Sequence, residues 1–429
     1  MTHEVPPAAA GGAAHRLRAQ GLWANRNYTL LLSGQTISQV GNALFPLAVY
    51  WWTFSLTGSS TDLGYVATVE GLTAMAGVFA GVLVDRWDRR RTMIWADVTR
   101  LALTGVLGLA ALFGQLSFAS ILVFVLLLGL VQNLFSPAQS ALLPRVVEPD
   151  DLDAALGLNQ GASASAGLIG TSLGGALLGL VGAASLMLLD SASFIVSAVS
   201  VGLLRLPRSA TQPHPDTVDE SRRSQGYLRE LLEGLSFLWS RPLFRHLVPI
   251  AVIMNLAFMP LNVLAVAWVR GVLGGSALDY GLFEACGVGG IILGSVLVRP
   301  LTRRFSPRQV ILGALALITA AYVALSQLPF LIPDLLLLLC LGLPMGVVNP
   351  MLQGIFRRAV PHHLLGRAAG VMGSLVLLAS PLGALLAGLG AGLGPLRIVF
   401  LAGGLAMFGA LVLAYGLPRA YGQHPPELG

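Results

Sequence analysis

Long apolar runs separated by short polar connections dominate the sequence. From Tyr28 to Pro418 the runs recur at about 20 residues, the length with which an α-helix crosses the hydrocarbon core of a bilayer. The pattern predicts twelve membrane-spanning helices and therefore an all-α membrane protein. The predicted spans are 28–55, 62–84, 92–113, 118–141, 154–179, 184–204, 244–269, 278–298, 308–328, 334–356, 366–390 and 395–417.

The composition agrees with this prediction. Hydrophobic residues make up 55% of the 429 residues, and charged residues only 11%, under half of the usual share in a soluble domain. So few charges cannot cover the surface of a water-soluble protein of this length. Most of the chain must therefore avoid water.

The basic residues exclude several kinds of chemistry. All 26 are arginine, and a chain without lysine has neither a Walker A loop nor a lysine Schiff base. We therefore expect a chain that is not an enzyme, with transport driven by an ion or substrate gradient. Cys286 and Cys340 lie in apolar runs, and the seven histidines lie in tails, loops or a helix end, so no metal site and no cofactor is expected.

Arginine placement predicts the orientation in the membrane. The connections 57–61, 114–117, 180–183, 270–277, 329–333 and 391–397 hold only Arg270 and Arg397. The alternate connections and the tails hold all the other arginines except Arg100, which lies within a span, if Arg245, Arg308 and Arg367 at the adjoining span ends are counted with them. The positive-inside rule then predicts a multi-pass protein of the plasma (inner) membrane with both termini in the cytoplasm. Because the chain has no solvated basic domain, a nucleic-acid partner is not expected.

The polar segment near the middle predicts two related halves. We expect a tail at 1–27, a six-helix half at 28–204, a cytoplasmic linker at 205–243, a second six-helix half at 244–417 and a tail at 418–429. The linker contains an amphipathic helix with its leucines on one face, typical of a helix lying on the membrane surface. Asn349-Pro350 repeats Ser136-Pro137, and Asp279-Tyr280-Gly281 repeats Asp62-Leu63-Gly64, which indicates pseudo-symmetric halves with a substrate path between them.

The connection after the second span carries the most informative motif. It reads Gly81-Val-Leu-Val-Asp85-Arg86-Trp87-Asp88-Arg89-Arg90-Arg91. This resembles the major facilitator superfamily, in which G-x-x-x-D-R-x-G-R-R joins helices 2 and 3, although Asp88 stands at the second glycine. The resemblance implies the twelve-helix major facilitator fold and a latch that holds one conformational state. The latch residues would be Gly81, Asp85, Arg86, Arg89 and Arg90, with Asp97 and Arg100 as an ion pair one turn apart on the next span.

Further segments narrow this resemblance. Asp97-Val-Thr-Arg100, Leu189-Asp-Ser-Ala-Ser-Phe194 and Glu233-Gly-Leu-Ser-Phe-Leu238 resemble the drug-exporter branch that includes macrolide efflux proteins and the enterobactin exporter. Gly170-Thr-Ser-Leu-Gly174 resembles the antiporter motif of helix 5, with Thr171 in place of its proline. The resemblance spans residues 28–417 and implies a secondary exporter.

Three carboxylic acids within the spans are candidates for proton coupling: Glu70, Glu284 and Asp190. Acids inside a membrane are costly and are often functional. Glu70 lies deepest and has no arginine three or four residues away, so burial favours its protonated form. For Asp190 the alternative is that it braces neighbouring helices, and for Glu284 that water solvates it.

Uncharged polar residues on several spans suggest a substrate cavity. Amides next to Met and Phe side chains can bind amphipathic molecules without requiring one charge. The candidates are Gln35, Gln39, Asn42 and Phe45 on span 1, Asn133 on span 4, and Asn255, Met259 and Asn262 on span 7. The alternative is that these amides form hydrogen bonds between helices.

Together these patterns predict a secondary active exporter. Its partners would be a small hydrophobic or amphipathic substrate resembling a drug, macrolide or siderophore, protons exchanged by antiport, and the lipid bilayer. We expect the chain to act as a monomer. One alternative is a lysophospholipid or lipid flippase of the same fold. A second alternative, a non-transporting receptor, is disfavoured because the sequence contains no sizeable soluble domain.

Overall fold

A computed structural model describes residues 21–84, 87–205, 232–361 and 364–417. Asp85 and Arg86 of the predicted latch, most of the predicted linker, and most of both tails lie outside the described residues. All regular secondary structure in the described ranges is helical, as the sequence predicts.

Eleven long helices follow one another along the described chain, and one of them is broken in two. The break is at Gly182, whose φ of 80° is favourable only for glycine, and it lies where the sequence predicts a connection between spans. We number the helices α1 (Arg26–Thr57), α2 (Ser60–Val84), α3 (Arg89–Leu112), α4 (Phe118–Val146), α5 and α6 (the segments of Leu152–Gly202 before and after Gly182), α7 (Pro242–Ala267), α8 (Ala277–Arg304), α9 (Pro307–Gln327), α10 (Leu331–Ala359), α11 (Leu365–Leu393) and α12 (Leu396–Tyr415). The long helices thus comprise twelve segments within the described residues, and shorter helices lie at 21–24 and 232–240.

The described helices have the length and composition of membrane spans. Nine of them, with the broken helix counted once, are long and apolar enough to cross a bilayer. The other two long helices are α1 and α2, and the side chains of 78–84 in α2 are not among the described residues. In α1 the amide stripe that begins at Gln35 lowers the apolar character of the helix.

Polar residues at the connections determine where several helices begin. Asp88 caps α3 by accepting a 2.8 Å hydrogen bond from the Arg91 backbone N–H. Ser276 and Ser306 begin α8 and α9 with capping boxes, in which the cap and the third helical residue bond each other's backbone. The second glycine of the family motif is thus replaced here by a helix-capping aspartate.

The described residues group into two compact units. One comprises the described residues of 21–49, 76–174 and 181–205, and the other comprises those of 50–75, 175–180 and 232–417. The ends of α1, α2 and α5 nearest the 57–61 and 180–183 connections therefore group with the helices of the second half. The predicted boundaries at 28, 205 and 244 stay predictions.

In the first unit, α3 packs against α4 around a core of apolar side chains. The core includes Tyr28, Met93, Ala96, Phe135 and Leu142. The ends of the helices are joined by polar contacts: Arg90 donates to the carbonyl oxygens of Val201 and Gly202 at the end of α6. A cation at a helix C-terminus stabilises the unpaired carbonyl groups there.

In the second unit, glycines allow unusually close helix contacts. Gly290 and Gly294 of α8 face Gly342 and Gly346 of α10, where an added Cβ would overlap the backbone of the other helix. Two G-x-x-x-G patterns therefore form one interface, as in many membrane helix pairs. In the same unit α9 packs against α12, and α7 packs against α11 and α12.

Glycines also join the two predicted halves at one end of the second unit. We call it the outer end because it carries residues 57–61, a connection that the arginine pattern predicts to lie outside the cell. An added Cβ at Gly64 of α2 would lie 2.5 Å from the Gly388 Cα of α11. One at Gly71 would lie 2.8 Å from the Pro381 Cβ. Gly175 of α5 and Gly281 of α8 approach each other even more closely. The outer end is thus closed by direct backbone contact.

Candidate transport site

A buried charge cluster lies within the first unit, built from α3 and α6. Arg100 is 3% exposed, and Asp97 on the same helix and Asp190 on α6 are at most 1% exposed. Arg100 Nη1 lies 3.9 Å from Asp97 Oδ1, and the guanidinium interacts electrostatically with both acids. The ion pair predicted from Asp97-Val-Thr-Arg100 is therefore present, and Asp190 shares its cation. Two buried carboxylates depend on one arginine.

Aromatic rings and hydroxyl groups complete this cluster. The Arg100 guanidinium lies 4.0 Å from the Phe194 ring centre and 5.2 Å from that of Phe135, both within cation–π range. Ser197 donates a 2.5 Å hydrogen bond to Asp97 Oδ2. The Leu-Asp-x-x-Ser-Phe pattern of the sequence thus contributes to the cluster, because Asp190 interacts electrostatically with Arg100 and the Phe194 ring lies against it.

Two of the predicted cavity amides belong to the same cluster. Gln35 of α1 donates to the Ser197 hydroxyl at 2.9 Å, and Asn42 accepts from Arg100 Nη2 at 2.9 Å. The contact between α1 and α6 is close, since an added Cβ at Gly41 would lie 2.7 Å from Asp190 Oδ1. Gln35 and Asn42 therefore make the helix-to-helix hydrogen bonds that were the alternative to a cavity role.

The latch residues are only partly described. Arg90 binds the end of α6 through two backbone carbonyls, and Arg89 is 8% exposed at the start of α3. Gly81 lies in α2, one turn before its end. Asp85 and Arg86 lie outside the described residues, so the latch stays a prediction.

A second acidic cluster lies in the second unit and contains the other two coupling candidates. The Tyr50 hydroxyl of α1 donates a 2.8 Å hydrogen bond to Glu70 Oε2 of α2. Tyr50 and Tyr280 each interact electrostatically with both Glu70 and Glu284. The structure therefore brings Glu70 and Glu284 together through two tyrosines, although they are far apart in the sequence.

Aromatic and charged contacts continue from this cluster toward the outer end. Trp51 stacks on Tyr280 with ring centres 6.0 Å apart and planes at 23°. Arg270 of the 270–277 connection lies 5.1 Å from the Trp51 ring centre and donates to the Ser55 hydroxyl. Arg270, one of the two arginines on the arginine-poor side of the sequence pattern, thus has a partner on α1.

The remaining cavity candidates differ in how accessible their polar groups are. In the first unit Gln39, Phe45 and Asn133 are half-buried, and the Asn133 side chain packs beside Gly77 of α2. In the second unit Asn255 and Asn262 donate to carbonyl groups one turn back in α7, at 2.9 and 3.0 Å. Met259 packs on Gly383 of α11. Their role in a substrate cavity stays a prediction.

One buried acid of the second unit is not apparent from the sequence. Asp334 lies in the first turn of α10, is 0% exposed and accepts a 2.7 Å hydrogen bond from Trp268 Nε1. It lies at the very start of a predicted span, where an acid is ordinarily solvated. The tryptophan near the end of the predicted span 7 was the only sequence signal of a partner, and their separation of 66 residues hides the pair.

Comparison with known proteins identifies the family. Residues 31–384 and 265–428 match the model of the Major Facilitator Superfamily. The chain belongs to the major facilitator superfamily. It is similar to the multidrug efflux pump Tap of Mycolicibacterium fortuitum, with 30% identity over 401 residues that cover 91% of this chain and 95% of that protein. It is also similar to macrolide efflux protein A of Streptococcus pyogenes, with 23% identity over 372 residues, 86% of this chain and 89% of that protein.

Solved structures show the same fold. A bacterial homologue of the human lysosomal transporter Spinster, crystallised in an inward-facing and unoccupied conformation, superposes with a TM-score of 0.65 at 16% identity, over 91% of this chain and 94% of that one. A bacterial homologue of the iron transporter ferroportin in an inward-facing state gives a TM-score of 0.67 at 16% identity, over 91% and 98%. At such identities the likeness shows the major facilitator fold and nothing about substrate.

Membership in the superfamily fixes the general activity. This major facilitator protein is a multi-pass membrane transporter, as the sequence predicts, and its relatives place it with the drug-exporter branch. Within the described residues no group of three or more His, Cys, Asp or Glu side chains is arranged to hold a metal ion.

Proposed function

We propose that this transporter is a secondary active exporter of hydrophobic or amphipathic small molecules, driven by proton antiport through alternating access. The names of its similar proteins, a multidrug efflux pump and a macrolide efflux protein, support the substrate class and the outward direction. The arginine distribution supports an orientation with both termini in the cytoplasm of a plasma-membrane protein. The exporter would act as a monomer.

The observation that carries proton coupling is the contrast between the two acidic clusters. Asp97 and Asp190 share the cation Arg100, so their ionised forms are compensated. Within the described residues, the groups that interact with Glu70 and Glu284 are instead the tyrosines Tyr50 and Tyr280. An ionised acid without a cation inside a membrane costs several kcal/mol, whereas its protonated form does not. The lack of a neighbouring cation among the described residues therefore favours Glu70 and Glu284 as the acids that exchange protons.

Glu70 is the better placed of the two for exchange. It lies roughly 15 Å along α2 from Ser60, which is about half the thickness of the hydrocarbon core. The Tyr50 hydroxyl donates a hydrogen bond to Glu70. This bond stabilises the carboxylate that remains after Glu70 has lost its proton. In this scheme Glu70 loads a proton from the outer side and releases it toward the cytoplasm while substrate moves outward.

The decisive experiment measures substrate accumulation in inside-out vesicles with and without an imposed proton gradient. Glu70→Gln mimics the protonated side chain, so it should abolish gradient-driven accumulation while substrate binding persists. Asp62→Asn, the same kind of change in the first turn of α2, should leave accumulation unchanged. Glu284→Gln should have a milder effect than Glu70→Gln. Normal accumulation by Glu70→Gln would contradict the assignment of Glu70.

The same vesicles separate this function from lipid transport. A fluorescent lysophospholipid should neither move with the proton gradient nor compete with a macrolide or a dye if the exporter handles free amphipathic molecules. Lysophospholipid transfer that is independent of the gradient and insensitive to Glu70→Gln would instead favour the flippase alternative.

A further inference from the structure

Helix α7 ends in a widened turn at the outer end. Trp268–Val272 form a π-helix, in which the Leu273 N–H donates to the Trp268 carbonyl at 3.0 Å. Such turns are rare in proteins and frequently occur at functional sites. Here the turn carries two buried residues, Trp268 and Val269, followed at once by the exposed Arg270. The π-turn therefore connects a buried segment, Trp268 and Val269, to a charged side chain at the surface, Arg270.

Arg270 connects the two predicted halves. It donates to Ser55 and lies over the ring of Trp51 on α1, and Trp51 stacks on Tyr280 of α8. We call Arg270, Ser55, Trp51 and Tyr280 the outer clasp. Because α1 belongs to the first six helices and α7 and α8 to the second six, opening of the outer end has to separate Arg270 from Trp51.

The other side of the widened turn is fixed by a buried hydrogen bond. Trp268 Nε1 donates to Asp334 Oδ2 at 2.7 Å, and the Trp268 ring packs edge-on against Phe400 of α12 at 4.8 Å and 89°. All three side chains are 0% exposed. Among the described residues, Asp334 Oδ1 has no hydrogen-bond partner, so the tryptophan is the group that satisfies this buried carboxyl. An acid would be an expensive way to fill this space if it served only for packing.

We propose that Asp334 is a positioning residue for the outer clasp. Its hydrogen bond holds Trp268 and thereby fixes the π-turn that places Arg270 against Trp51 and Ser55. Asp334 thus sets how readily the outer end opens. The inference rests on the alternating access of the proposed function, but it depends neither on the substrate nor on the coupling ion.

The test measures opening directly, with a cysteine on the α2 face that meets α11. Ala67 is 8% exposed and lies between Gly64 and Gly71, which both contact α11. In a background in which Cys286 and Cys340 are replaced by alanine, Ala67→Cys should react slowly with a maleimide while the outer end is closed. The purified full-length protein in nanodiscs needs neither substrate nor a gradient for this measurement.

Three variants should open the clasp. Asp334→Leu and Trp268→Phe break the buried bond from opposite sides, and Arg270→Met removes the clasp itself. Each variant should accelerate the maleimide labelling of Ala67→Cys about fivefold or more. This is the size of effect expected when a typical coupling free energy between two sites is lost. Combining Trp268→Phe with Arg270→Met should add nothing further, since both act on one contact. Asp334→Asn keeps an oxygen acceptor for Trp268 and should label at the original rate.

The control removes a comparable hydrogen bond elsewhere on α7. The buried Tyr322 hydroxyl donates to the Ala257 carbonyl at 2.6 Å, away from the outer clasp. Tyr322→Phe should lower the melting temperature of the protein without accelerating labelling. Asp334 would lose its positioning role if Asp334→Leu lowered the melting temperature but labelled at the original rate, or if Asp334→Asn labelled as fast as Asp334→Leu. Transport assays on Glu70→Gln are independent of these outcomes, so the two proposals can fail separately.

Discussion

Ser197 donates a 2.5 Å hydrogen bond to Asp97 across 100 positions of sequence, and this bond joins α6 to α3. Gln35 extends the connection to α1 by donating to the same hydroxyl at 2.9 Å. Three helices of the first unit are thus joined by a buried polar network around Arg100. Because Arg100, Asp97, Ser197 and Gln35 are all buried, the network is stable only when its charges and hydrogen bonds remain paired.

Removing Arg100 should therefore destabilise the protein strongly. Arg100→Met leaves Asp97 and Asp190 without their shared cation, and breaking a buried ion pair in this way costs about 3–5 kcal/mol. Arg91→Met, a change at an exposed position of the same helix, should stay within about 0.5 kcal/mol. Thermal unfolding of the purified protein in detergent measures both. Adding Asp97→Leu and Asp190→Leu to Arg100→Met should recover much of the lost stability. Equal melting temperatures for Arg100→Met and Arg91→Met would contradict the cluster.

The glycine contact between α5 and α8 gives a second prediction. A Cβ at Gly281 would overlap the Gly175 backbone, whereas one at Gly289 on the same helix meets no atom within 4 Å. Gly281→Ala should therefore force the outer ends of these helices apart and reduce transport. Gly289→Ala should transport normally and gain up to about 1 kcal/mol of helix stability. Transport rates at matched protein levels in the membrane distinguish the two, and unimpaired Gly281→Ala would show that this contact yields easily.

The sequence predicts the helices of this transporter well because each one is encoded locally. Each apolar run is long enough to cross a bilayer. The breaks between runs are marked by residues such as Gly182, which the backbone conformation there requires, and by N-caps such as Asp88 and Ser276, at which the next helix begins. The arginine pattern likewise depends only on which connection a residue occupies. These signals need no knowledge of which helices touch.

The candidate sites depend on contacts between helices that are distant in the sequence, and a single sequence does not indicate which helices are in contact. Asp97 and Arg100 were recognisable as a pair because they lie one helical turn apart. Asp190 joins them from α6, and Gln35 and Asn42 join from α1, positions that no periodicity connects. Asp334 was overlooked for the same reason, since its partner Trp268 lies on another helix. The sequence thus provides the chemical groups, and only the packing assigns them to clusters.

The predicted latch yields a third prediction. If Asp85 biases the conformational equilibrium, as the family motif implies, Asp85→Asn should reduce the transport rate about fivefold or more while membrane insertion stays normal. Asp88→Asn is the matched control, because asparagine caps a helix as well as aspartate does and α3 should still begin there. Transport normalised to the amount of folded protein measures both. Full transport by Asp85→Asn would contradict the latch.

The predicted substrate cavity can now be tested by comparing two amides of one helix. Gln35 is 3% exposed and bonded to Ser197, whereas Gln39, one turn further along α1, is half-buried. Gln35→Ala leaves a buried hydroxyl network incomplete, so we expect a lower melting temperature, by the equivalent of about 1–3 kcal/mol, and an equal loss of transport for every substrate. Gln39→Ala should keep the melting temperature and change the relative transport of different substrates, since no single contact dominates a pocket that accepts many ligands. A panel of dyes and macrolides, with melting temperatures measured in parallel, compares the two variants. A uniform loss for Gln39→Ala with a lower melting temperature would assign Gln39 to packing and leave Phe45 and Met259 as the cavity residues to examine next.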